Sequence, residues 1–215
     1  MGITRILIVI LLLGAVSSAR SAQPEPWVPI LDISTGFVSG DSSLYEQVAD
    51  VGDTLDVWAD TVELLAPFGA RSIGRTRALS ITGLAAAGTG GLWDDFACDC
   101  GGVLNDFADG ELIVRDQDGT VLLRGTVPTF TTAWRGGCFC EVQCFGTVSL
   151  TGGSLFLELS PTGTPIQASL GLNTDTFVTP EDAAMGVLAY LDGSLSVQPG
   201  TPVRTVTWGA VKQVK

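Results

Sequence analysis

The chain has 215 residues, with 23 acidic and 11 basic side chains, no histidine and a formal net charge of −12. Without imidazole there is no Ser-His-Asp or Cys-His nucleophile, no histidine acid or base and no imidazole zinc site. An anionic field of this size repels nucleic acid and anionic lipid.

The first element is a leader. Arg5 is a lone positive charge, residues 6–16 are apolar, and Ser17-Ser18-Ala19 supplies the small-x-small cleavage pattern. The expected signal peptide is 1–19, with cleavage after Ser21 as the alternative, so the mature chain starts at Arg20 or Ala22. No cysteine lies there to take a lipid anchor. No later segment reaches the roughly 18 apolar residues of a membrane helix. The expected location is secreted, periplasmic or at the cell surface, with residues 20–215 as one domain not spanning a membrane. Losing Arg5 leaves ten bases against 23 acids.

Twenty-seven glycines punctuate short runs of Val, Leu, Ile and Thr, the composition of a mainly β protein. Strands are expected at 30–38 and 79–83. Between them, Leu44, Val48, Val51, Leu55, Trp58, Val62 and Leu65 recur in steps of four and three, and Ser43 with Glu46 forms a capping-box pair. This spacing predicts a short helical segment near residues 44–66, broken at Gly52-Asp53. The competing reading makes 55–65 one more strand. A hairpin follows: strand 111–115, a turn at 116–119 in which Asp118-Gly119 takes positive φ, and strand 120–127. Further strands are expected at 139–150, 154–159 and 166–172. A second hairpin is expected to pair 187–191 with 194–197 across Asp192-Gly193, and a strand at 203–208 to close the domain. Thr179-Pro180-Glu181-Asp182 has the form of a helix start that Gly186 would end. The whole predicts an antiparallel β-sandwich or partly closed barrel.

Five cysteines form two groups, Cys98 with Cys100, and Cys138 with Cys140 and Cys144. Side chains two apart on a strand share a face, so Cys138, Cys140 and Cys144 are expected to project together with Val142. Two residues of strand separate α-carbons by about 6.6 Å, near the limit for a bridge. The expectation is therefore two disulfides between the groups, connectivity open, with one thiol left over. That thiol is either buried and inert or a link to a covalent dimer. A thiolate metal site is the alternative; passage through an oxidising compartment favours bridges.

Asp94, Asp95, Asp99, Asp106, Asp109 and Glu111 supply crowded oxygen ligands of the kind Ca²⁺ takes, and Asp116 and Asp118 could add to them. Neither stretch matches the twelve-residue calcium loop, and Asp beside Gly is ordinary turn chemistry. The same carboxylates could act as a pair on a glycoside. Trp93 and Trp134 precede the two cysteine groups and are read as core beneath the loops or as an exposed platform for a sugar or protein. No nucleophile elbow or phosphate loop is present. The sequence thus predicts a non-enzymatic exported domain in adhesion, surface structure or ligand binding, its partner a protein or carbohydrate and no cofactor required. A calcium-assisted carbohydrate-binding module and a carboxylate-dependent glycoside hydrolase are the alternatives.

Overall fold

The computed structural model describes residues 27–40, 48–95, 100–135, 141–174 and 187–198, with side chains except at 93–95, 100, 101, 135, 141 and 187–190. In chain order the elements are β1 (Val28–Gly40), β2 (Thr54–Leu64), β3 (Arg71–Asp95), β4 (Cys100–Ala108), β5 (Gly110–Arg115), β6 (Val121–Arg135), β7 (Glu141–Gly152), the one-turn helix α1 (Phe156–Leu159), β8 (Ile166–Thr174) and β9 (Val187–Val197). Every pairing is antiparallel, and β1 pairs with both β2 and β9. Since β2 also pairs with β3, the strands β1, β2, β3, β4, β6, β7, β8 and β9 close into a barrel. β5 continues the path of β4 between β3 and β6. Ala85↔Ala108 and Thr82↔Glu111 keep one register across the join, where Asp109 has φ 64° and Gly83 φ 76°.

Inward residues are apolar: Leu55, Val57 and Ala59 on β2, Leu112 and Val114 on β5, Val148 and Leu150 on β7, Leu170 and Leu172 on β8. Phe107 and Phe130, paired across β4–β6, are both buried in the core. Eight strands give an interior just wide enough for such side chains to fill. Outward positions on the same strands are mostly Thr, Ser, Gln, Asn, Asp and Glu, with Trp58, Ile113 and Phe145 the large apolar exceptions, the reverse of the apolar-out distribution of a membrane barrel. No helix among the described residues is long and apolar enough to cross a membrane.

Several sequence expectations hold. The 111–127 hairpin is β5–β6, with Gly119 at φ 92° in its turn. β1, β3 and β8 contain the strands expected at 30–38, 79–83 and 166–172, and β7 covers 141–150 of the one expected at 139–150, whose first two residues lie outside the described part.

Three details are corrected. Residues 54–64 form β2, so the helical segment near 44–66 does not extend over them, and the competing strand reading applies; residues 44–47 lie outside the described part. The inward set on β2 is Leu55, Val57 and Ala59, then Val62 and Leu64. The alternation changes phase at Asp60, where the β2–β3 register shifts and the facing β1 carries Thr35 at φ 57°. One slipped phase makes a period of two resemble steps of three and four.

The stretch 154–159 is not a strand: Phe156 and Leu159, three apart, turn into the core on α1. Nor is Asp192-Gly193 a turn. β9 runs straight through it, and a side-chain carbon on Gly193 would collide with the Gly171 carbonyl and with Leu172 Cα. Glycine is needed there for close strand approach. The 179–186 helix and the 203–208 strand fall outside the described residues.

Candidate functional site

The two cysteine-bearing connections emerge at the same end of the barrel. The last pair of β3–β4 is Asp95↔Cys100, and the last pair of β6–β7 is Arg135↔Glu141. β4 and β6 are hydrogen-bonded neighbours with Gly102↔Arg135, so both hairpins leave the sheet within two or three residues of one row. Adjacent strands lie about 4.8 Å apart, which puts the described backbones flanking the two connections on the order of 10 Å from each other. Cys98, Asp99, Cys138 and Cys140 lie outside the described residues, and Cys100 is described by its backbone. Among the described residues no cysteines are bonded to each other.

Cys144 lies three residues inside that end, in the row Asn105↔Thr132↔Cys144. It shares the inward face with Val142, as the strand period requires, and is fully buried. Burial pushes its thiol up to about 12, so it stays protonated and unreactive at neutral pH.

Trp134 also points inward. In the row Val103↔Trp134↔Val142 it is partly buried and packs against the core. Trp93 and Asp94 have backbones paired with Gly102 and Gly101, and Asp95 with Cys100; their side chains are outside the description.

The described members of the acidic group do not converge. Asp106 Oδ1 accepts the Thr131 hydroxyl at 2.7 Å and its Oδ2 the Thr89 hydroxyl at 3.2 Å. Asp109 occupies the β4–β5 join, and Glu111 pairs with Arg124 at 3.2 Å. No three metal-ligating side chains gather among the described residues. Asp116 and Asp118 serve the β5–β6 turn at the opposite end. Arg71 Nη1 donates to Asp116 Oδ2 at 2.9 Å, and the Thr120 N–H donates to Asp118 Oδ1 at 2.8 Å, which holds that carboxyl below its usual range.

Residues 48–53 form a strap across the cysteine end. The Ala49 N–H donates to Asn105 Oδ1 at 2.6 Å, and Ala86 N–H to the Asp53 carbonyl at 2.8 Å. Asn105 is fully buried on β4, a polar group set into the barrel interior to hold the strap. Beside the strap a shallow polar hollow of about 430 Å³ is lined by Ser39, Gly40, Gly52, Asp53, Thr54 and Asp56. On the outer wall, Trp58 stacks with Phe37 at a ring-centroid distance of 5.3 Å, and the Arg77 guanidinium lies 4.9 Å from its ring centroid.

Sequence reasoning missed two features. Asn105 has no motif around it. The other feature does carry a signal: residues 125–134, 142–157 and 159–174 contain no Asp, Glu, Lys or Arg, in a chain with 34 such residues. Those runs build the outer wall of β6, β7 and β8, where Phe145 stands half exposed among Thr131, Thr147, Gln143 and Gly171. No protein-family model, curated protein or solved structure matches the chain.

Proposed function

We propose that the chain is an exported, non-enzymatic barrel domain that works through its outer surface, in adhesion, surface structure or ligand binding. In this reading residues 1–19 are its signal peptide. Two disulfides join Cys98 and Cys100 to Cys138 and Cys140, and Cys144 is the unpaired thiol. The observation that carries it is the juxtaposition of the β3–β4 and β6–β7 ends through Gly102↔Arg135. Each bridge would close a loop of about 40 residues, worth about 3–4 kcal/mol in the chain-entropy model.

The non-enzymatic part draws on the occupied carboxylates. Asp106, Glu111 and Asp116 each already engage a hydroxyl or guanidinium, and the interior that a ligand cup would need is filled by Phe107, Phe130 and the surrounding aliphatic side chains. Activity would then have to come from the walls and ends of the barrel.

Expression with its own leader, followed by N-terminal sequencing of the exported material, tests the reading. A mature start at Arg20 or Ala22 and a melting temperature that falls on reduction are expected. Retention inside the cell with the leader attached, and stability indifferent to reductant, would overturn it.

A further inference from the structure

One wall of the barrel is built from charge-free strands. Elsewhere the outer strands carry charges: Asp32 faces Glu63 across β1–β2, Asp56 and Asp60 follow on β2, and Arg71, Arg75 and Arg77 stand on the first part of β3. The wall of β6, β7 and β8 is charge-free from Gly125 to Trp134, along β7 from Val142, and across all of β8. Its outward side chains are hydroxyls and amides, with Pro128 and Ala133, around a single aromatic ring. Phe145 is 50 % exposed, so its ring is accessible from outside the barrel. Its cross-strand neighbours are Thr131 and Gly171. A side-chain carbon on Gly171 would meet nothing within 4 Å, so the β8 flank of the ring is open. Asp106, the carboxylate nearest on β4, is turned to the Thr131 and Thr89 hydroxyls.

We infer that this wall is a contact surface for a neutral polysaccharide chain, with Phe145 stacking on one sugar ring and Gln143, Thr147, Ser169 and Asn173 exchanging hydrogen bonds with its hydroxyls. The inference rests on the proposed reading of an exported, surface-acting domain and names its ligand class. The chemistry of the wall selects the ligand. An aromatic ring offers an apolar face to the C–H side of a pyranose, while hydroxyl and amide side chains both donate and accept, as sugar hydroxyls do. A charged partner would find no counter-charge on this wall. A second copy would bring another strongly acidic chain against the first, and long-range repulsion opposes that contact. A neutral polymer meets neither obstacle. The curvature of a closed barrel also suits a narrow linear chain running along β7 better than a broad protein surface.

The test uses the full mature protein against a panel of soluble neutral polysaccharides (glucan, mannan, galactan and xylan) in affinity electrophoresis, with titration calorimetry on whichever is retarded. Binding of at least one is expected, with little change between low and high salt because no ion pairs form. Phe145→Ala should weaken it about tenfold or more, as truncating an aromatic anchor does, and Thr147→Lys should weaken it as well. Ser34→Ala on the opposite wall should leave it unchanged. Sedimentation velocity runs beside the binding measurement. No retardation by any polysaccharide would overturn the inference while leaving the export and disulfide reading to its own test. Binding that survives Phe145→Ala would place the ligand elsewhere and overturn the assignment of this wall. A concentration-dependent dimer abolished by Phe145→Ala, without sugar binding, would give the wall to a second copy instead.

Discussion

Truncating Asn105 to alanine should release the strap at the cysteine end and destabilise the barrel by about 2–4 kcal/mol. The carboxamide is fully buried, and so is the Ala49 N–H that donates to it at 2.6 Å. Removing the acceptor leaves that N–H desolvated and unpaired, a cost of about 1–3 kcal/mol. The lost carboxamide also leaves a void of roughly 30 Å³, about one water molecule's share of liquid volume. At roughly 24 cal/mol per Å³ this adds about 0.7 kcal/mol. For a domain of this size each kcal/mol lowers the melting temperature by about 2–4 °C, so a fall of roughly 5–15 °C is expected. Urea unfolding measures the total. Hydrogen exchange locates it: the Ala49 and Ala86 amides, which bond to Asn105 and Asp53, should lose protection before the amides of β7 and β8. A change under 0.5 kcal/mol with Ala49 protection intact would refute the pinning role.

Cys144 should resist iodoacetamide in the native protein at pH 8 and react once the chain is unfolded. Its thiol is raised to about 12 from 9.0, so the folded state keeps a proton that the unfolded state releases above pH 9. Stability therefore contains a contribution present below pH 9 and lost as pH rises towards 12; Cys144→Val should remove that part of the alkaline decline in urea titrations at graded pH. Gly193→Ala should cost more than about 2 kcal/mol or prevent folding, because its methyl meets the Gly171 carbonyl and Leu172 Cα. Gly171→Ala, whose methyl meets nothing within 4 Å, should stay within about 1 kcal/mol.

The legible parts of the fold were those where one local rule acts alone. Asp118-Gly119 between two apolar runs forms the β5–β6 turn because Gly119 supplies the positive φ, and β7 and β8 alternate without a break. Legibility failed where a long-range constraint decides. The phase change at Asp60 answers to Thr35 on the neighbouring strand, and Gly193 answers to the backbone of β8. Barrel closure itself, through β1 and β9, joins strands about 160 residues apart and leaves no local mark. At the site, the sequence placed the cysteine groups near one another in expectation and left Trp134 with two readings. It did not single out Asn105, whose partner is 56 residues away, and the charge-free runs were passed over because they look like any other strand sequence.

The central claim is that the β3–β4 and β6–β7 connections are fastened together by sulfur at one end of a closed barrel. Its most direct measurement is a thiol count: denature the mature protein without reductant, alkylate, and weigh it. One adduct, mapped by peptide digestion to Cys144, with disulfide peptides joining Cys98 and Cys100 to Cys138 and Cys140, is the predicted result. Five adducts, or bridges confined within either cysteine pair, would contradict it.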